Sequence, residues 1–154
     1  GINAITHEDI RWQYCDIKAI TLLPSVLLRH KAKQQGAKEA ILIRDGYITE
    51  GAASNVFICK NNEIITPPKN NHVLPGITRD LVVEILTVHK MTYSEVMFTE
   101  EELLNADEVW VTSSTWEIVP VTQLNNVPVG TGEAGPLWHT VNQLYQEFKS
   151  GYCQ

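Results

Sequence analysis

Between residues 39 and 66 the chain carries four short runs rich in apolar and β-branched residues: Glu39 to Arg44, Tyr47 to Glu50, Asn55 to Lys60 and Glu63 to Thr66. Asp45-Gly46 separates the first pair and Asn61-Asn62 the last pair. Such dipeptides supply the positive φ angles that two-residue hairpin loops demand. A sheet must therefore lie at the centre of the fold, and the stretch predicts a β-meander. Two further strands, Glu108 to Thr112 and Glu117 to Thr122, flank the polar turn Ser113-Ser114-Thr115.

Helical periodicity surrounds these strands. Leu22, Leu23, Val26, Leu27 and His30 recur at three-to-four spacing and the run closes at Gly36, which predicts a helix over about Thr21 to Gln35 with Pro24 in its first turn. Thr78 to Lys90 places Leu81, Val82, Ile85 and Leu86 on one face, with Thr78 as candidate N-cap. Thr99-x-x-Glu102 is a capping box for a short helix ending near Asn105. Gly135-Pro136 opens a last helix with Leu137, Val141, Leu144 and Phe148 inward. Helices and strands interleave without regular βαβ alternation, so the expected fold is α+β, a mixed, largely antiparallel sheet with packed helices. No repeat interrupts the chain, and the turn-rich stretch from Thr66 to Gly76 reads as an ordered loop. Residues 1–154 are expected to form one domain.

Composition narrows the function. With 44% hydrophobic residues in 154, the chain can bury a core. Twelve Lys and Arg against 18 Asp and Glu give a charge of −6. No basic cluster stands out, which argues against nucleic acid or an anionic membrane surface as partner. No apolar run approaches the roughly 18 residues of a membrane span, and no signal-peptide pattern opens the chain. Cys15, Cys59 and Cys153 are odd in number and lack CxxC spacing, which disfavours a disulfide framework or zinc cluster and suits a reducing cytoplasm. Cys15 reads as a small buried residue. The histidines, His7, His30, His72, His89 and His139, lack i,i+3 or i,i+4 pairing, and no metal site is expected.

No Walker loop, GxGxxG, HExxH or GxSxG elbow occurs. Four separated segments carry the remaining signal: Cys15-Asp16-Ile17-Lys18; Thr49-Glu50-Gly51 with Ser54-Asn55; Leu74-Pro75-Gly76-Ile77-Thr78-Arg79; and Thr112-Ser113-Ser114-Thr115. Each string alone is weak. On its own, Lys18 closes a predicted strand and reads as a solvated lysine, Glu50 as a strand-end glutamate, Thr78 as an N-cap and Leu74 as core.

In this order and spacing the segments resemble the fold-type IV pyridoxal-phosphate-dependent aminotransferases, and Cys15 to Thr49 is most similar to the D-amino-acid aminotransferase branch. The resemblance covers nearly the whole chain but only the C-terminal, cofactor-bearing half of the family, whose members are about twice as long. It therefore implies a proteolytic fragment or truncated form, a missing N-terminal domain, and a homodimer in the full-length protein.

By the same resemblance, Lys18 stands at the Schiff-base lysine, a primary amine that burial turns into a base. Glu50 stands at the carboxylate paired with the pyridine nitrogen. Gly76, Ile77 and Thr78 stand at the phosphate cradle, where helix-entry amides and the Thr78 hydroxyl face the anion. Ser114 matches a further phosphate contact, Leu74 the residue packed on the ring face, and Arg11 an arginine that supports the site.

The implied reaction moves an amino group between an amino acid, D-alanine being typical of the branch, and a 2-oxoacid. Ala52 and Ala53 stand where the branch carries serines, and Trp116 where a smaller polar residue is common, so the amino donor stays open. Trp110, Trp116 and Trp138 read as core or interface, with a place beside the substrate as the alternative for Trp116. A Gly-Asn-Tyr run typical of the branched-chain branch is missing after Lys18. Aminodeoxychorismate lyase, on the same fold, and a cofactor-free binding domain remain alternatives.

Overall fold

The computed structural model describes residues 1–152; Cys153 lies outside them. In chain order the elements are β1 (Ile2–Glu8), α1 (Leu23–Gln34), β2 (Glu39–Arg44), β3 (Tyr47–Gly51), β4 (Asn55–Lys60), β5 (Glu63–Thr66), α2 (Ile77–Val88), β6 (Tyr93–Glu95), α3 (Glu100–Leu104), β7 (Glu108–Ser113), β8 (Glu117–Leu124), β9 (Val127–Pro128) and α4 (Pro136–Tyr152). All these strands join one mixed sheet in the order β3-β2-β1-β8-β7-β4-β5-β6, with β9 paired to β8.

The two hairpins form where their turns require, with positive φ at Asp45, Gly46, Asn61 and Asn62. They do not form a meander. β1, β8 and β7 lie between β2 and β4, so the hairpins occupy opposite parts of the sheet. β1, which the sequence reading leaves unassigned, runs parallel to both β2 and β8. Alternation then sorts side chains onto two buried faces. Val56 and Ile58 of β4 join Val109 and Val111 of β7 in one cluster, which also takes Ile41 of β2 and Ile48 of β3 from the far end of the sheet. That shared cluster curls the sheet. Phe57, Cys59 and Trp110 point the other way and meet Val82 and Leu86 of α2 and Val141 and Tyr145 of α4. A third cluster seats Leu28 and Ala32 of α1 on Ile5, Ala40, Leu42 and Ala52.

Thr99 and Glu102 form the reciprocal capping box of α3, and Pro24 lies in the first turn of α1. The N-cap of α2 is Gly76, not Thr78, which sits inside the first turn with its side chain buried. The start of α4 rests on Glu108: its carboxyl oxygens accept the amides of Leu137 and Trp138 and the indole N–H of Trp110, each at 2.9 Å. Gly135 is required here because a Cβ would fall 2.1 Å from the Glu108 carboxyl carbon. Glu108→Ala should orphan three buried donors and cost about 2–4 kcal/mol, seen as a lower urea midpoint at unchanged slope.

Candidate active site

Four loops from distant parts of the chain surround a cavity of about 640 Å³. Its walls are the segment from Arg11 to Arg29, the β3–β4 connection, the entry to α2, and the β7–β8 turn. Lys18, Glu50, Leu74, Gly76, Ile77, Thr78, Ser114 and Arg11 all line it. The cavity thus gathers all the residues to which the family resemblance gives a place in the site.

Glu50, 3% exposed, ends a strand but is not solvated. Its Oε2 accepts from the Leu74 amide at 3.0 Å and Asn55 Nδ2 at 3.1 Å, while among the described residues Oε1 accepts from Arg11 Nη1 alone, at 2.5 Å. Oε1 therefore keeps acceptor capacity beside the cavity. Asn55 Nδ2 also donates to the Leu74 carbonyl at 2.8 Å, which fixes the backbone of Leu74. Behind Arg11 lies Asp9, which receives Nε and Nη2 as a fork at 2.9 Å each. Burial pushes the Glu50 carboxyl up to about 7, against the pull of Arg11 and the Leu74 amide. Burial acts on Asp9 in the same direction, but the bonds and charge of Arg11, with the charge of Arg44, hold it below the usual carboxylate range.

A second buried carboxyl lies beneath the β3–β4 connection. Glu39, fully buried, accepts from the Ala40 amide at 2.9 Å and from Ser54 Oγ at 2.8 Å. Burial raises its pKa, opposed by those bonds. Asp9, Arg44, Asn55 and Glu39 are site residues that the sequence reading did not assign. The only available signal was polar side chains at strand ends, which usually mean solvent.

These shifts give a pH dependence for the ligand-free chain. Glu39 and Glu50 have raised folded pKa values, so their contribution is present at acid pH and lost as pH rises through the folded values. Asp9 is lowered, so its contribution is lost as pH falls below the unfolded value of 3.8. Maximal stability should lie near pH 4, above the loss from Asp9 and below the losses from Glu39 and Glu50. Stability should fall as pH rises from about 4.5 to about 7, by up to the order of 3 kcal/mol from Glu50, seen as falling melting temperatures that Glu50→Gln should flatten.

On the other side of Asn55, Gly76 offers no capping side chain to α2, so the amides of Ile77 and Thr78 are left uncapped among the residues that line the cavity. A Cβ on Gly76 would fall 2.1 Å from Asn55 Oδ1, so glycine is required for this approach. Ser114 is exposed on the neighbouring turn, while Thr112 is buried with a hydroxyl that has no partner among the described residues. The hydroxyl of Thr78 also reaches the Tyr145 phenol. Arg79 turns away from the cavity and binds the Pro67 carbonyl and Glu95 at 2.9 and 2.5 Å.

Lys18 does not end a strand. It lies in an irregular segment between Asp16 and α1, and it is exposed on the cavity's open side, because this segment packs against the fold through Cys15 rather than through a β-ladder. Cys15 is buried, as its size suggests. Ala52 packs into the α1 cluster with its amide on the Ala40 carbonyl at 2.9 Å, whereas Ala53 is exposed. Trp116 lies under the Arg29 guanidinium, 5.6 Å from ring centroid to Cζ, and Arg29 rather than the indole lines the cavity.

Residues 4–124 match the model of the amino-transferase class IV family. The chain is 46% identical to the D-alanine aminotransferase of Bacillus licheniformis over 146 residues, covering 95% of this chain and 52% of that protein. Its fold is similar to that of the branched-chain amino acid aminotransferase from Escherichia coli, at a TM-score of 0.79 and 31% identity, over 93% of this chain and 50% of the other. The branched-chain amino acid aminotransferase of Thermobaculum terrenum in its PLP form gives a TM-score of 0.91 at 25% identity, over 97% and 51%. The chain spans about half the length of the relatives it matches.

Proposed function

The chain belongs to the class IV aminotransferase family, and from that premise we propose that it is the cofactor-bearing half of a two-domain, pyridoxal-phosphate-dependent aminotransferase that transfers an amino group from a D-amino acid such as D-alanine to a 2-oxoacid. The observation that carries this reading is the convergence of Lys18, Glu50, Leu74, Gly76–Thr78 and Ser114 on one cavity. The 46% identity to a D-alanine aminotransferase supports the choice of amino acid. The half-length match supports a second domain, and the exposed Leu22, Leu23, Val26 and Leu27 support a homodimeric parent, which we place in the cytoplasm.

The cavity fits the cofactor. A buried Thr112 hydroxyl without a partner among the described residues, uncapped amides at Ile77 and Thr78, and a carboxyl oxygen with spare acceptor capacity are what a phosphorylated pyridine aldehyde would satisfy. When bound, the cofactor supplies an aldehyde that captures amines and a protonated ring that takes up the electron pair released at the substrate α-carbon. Glu50 would hold the ring nitrogen through its Oε1, and its negative charge would keep a proton there. The Ile77 and Thr78 amides and the Ser114 hydroxyl would bind the phosphate, and Leu74 would pack against the ring. Lys18, lining the same cavity, is the primary amine that would hold the aldehyde, and in the reaction it would be the base that carries a proton from the substrate α-carbon.

Incubation with pyridoxal phosphate, borohydride reduction and peptide mapping should place the pyridoxyl tag on Lys18. A tag on Lys31 or Lys33 with Lys18 clean would end the assignment.

A further inference from the structure

Glu50 faces the cavity with one oxygen bound, among the described residues, to a single donor, and that donor, Arg11, is shared. Unrestrained, a guanidinium places two parallel N–H groups on one carboxylate and neutralises it. Here the fork is turned away: Nε and Nη2 go to Asp9, and only Nη1 reaches Glu50.

Asp9 is built for this. It follows β1 directly, its side chain is fully buried, and its amide is tied to the Ile43 carbonyl at 2.7 Å. Oδ1 takes the Arg11 amide at 3.1 Å and Nε at 2.9 Å. Oδ2 takes Arg11 Nη2, Thr49 Oγ1 at 3.1 Å and Arg44 Nη2 at 3.2 Å. Arg11 Nη2 also reaches the His72 carbonyl at 3.2 Å, so the guanidinium cannot rotate without breaking several bonds.

We propose that Asp9 is a positioning residue for Glu50: by holding the Nε–Nη2 edge of the Arg11 guanidinium it limits Arg11 to one bond with Glu50 and leaves that carboxyl basic enough to share a proton with a ring nitrogen in the cavity. The charges balance: Asp9 and Glu50 against Arg11 and Arg44, with Lys18 lining the same cavity as Glu50 and the Cys15 thiol beside Arg11. Removing the Asp9 charge leaves Arg11 with Glu50 as its one carboxylate, so Glu50 should release its proton more readily. Removing Arg44 should do the reverse, because Asp9 then acts on Glu50 with less compensation.

The use of the Glu50 proton rests on the proposed aminotransferase reaction, but the test does not. Carboxyl-carbon NMR titration of the ligand-free chain, with Glu50 assigned by its loss in Glu50→Gln, gives the Glu50 midpoint directly. In Asp9→Asn the midpoint should fall by about one pH unit or more, and in Arg44→Gln it should rise. A well-folded Asp9→Asn with an unmoved midpoint would overturn the proposal and leave Asp9 a purely structural anchor. Should Asp9→Asn fail to fold, Arg44→Gln decides: a rise supports the proposal, and no change or a fall overturns it. Failure of borohydride to tag Lys18 would instead count against the aminotransferase reading and leave this result standing.

Discussion

In a two-domain protein carrying this chain, Lys18→Ala is expected to lose transamination by about 10⁴-fold or more, roughly 5.5 kcal/mol of barrier. Two separate contributions vanish together: the amine that holds the cofactor carbonyl carbon ready for exchange, and the base that carries the α-proton. Fold and stability should be unchanged, because Lys18 is exposed on an irregular segment and belongs to no buried cluster. Lys18→Arg should fail as badly, since a guanidinium neither condenses with an aldehyde nor gives up its proton near neutral pH. Steady-state turnover of D-alanine with a 2-oxoacid, beside a thermal melt of each variant, measures both. A loss below about tenfold would remove Lys18 from the reaction.

What the sequence made legible follows from how local each signal is. The hairpin turns were readable because Asp45-Gly46 and Asn61-Asn62 must adopt positive φ, a demand that depends on no distant residue. The inward face of α4 and the capping box of α3 were readable for the same reason, whereas in α1 the periodic Leu22, Leu23, Val26 and Leu27 are exposed and Leu28 and Ala32 seat the helix. The meander failed because β1 inserts between β2 and β8 through parallel pairings, and parallel neighbours leave no turn between them to read.

The site divides along the same line. Lys18, Glu50 and the Gly76-Ile77-Thr78 turn were found through family spacing, and the fold then brings them to one cavity. Asp9 and Glu39 were missed because a carboxylate at a strand end is ordinarily solvated, and only the tertiary fold, through Arg11 and Arg44 for one and Ser54 for the other, makes it buried. Thr78 was misplaced as a cap because any threonine near a helix start carries that signal, whereas the glycine before it is selected by the close approach of Asn55.

The chain by itself is expected to be nearly inactive, with turnover at least about 10³-fold below that of the two-domain protein and cofactor bound weakly. The cavity explains why. Its inner wall is complete, with Glu50 bonded on both oxygens and the α2 amides in place, but its outer side is open and Lys18 is exposed there. Arg11 is committed to Asp9 and Glu50, which leaves Lys18 and Arg29 as the cations lining the cavity among the described residues. Of these, Lys18 must react and the Arg29 guanidinium lies over the Trp116 ring, so the substrate carboxylate needs a clamp from elsewhere. Water also has access to Lys18 on the exposed side, where the reaction needs a partly dry pocket. Beside the opening, Trp12, Ile17, Ile20, Leu23 and Val26 are about half-exposed or more, an apolar rim suited to a covering domain. Adding the proposed second domain as a separate polypeptide should therefore bury this rim, tighten cofactor binding and recover much of the activity. The comparison is one of initial rates for the chain alone, the mixture and the joined protein. A rate for the isolated chain close to that of the joined protein would mean that the substrate-binding groups lie within these 154 residues, and the two-domain reading would have to be abandoned.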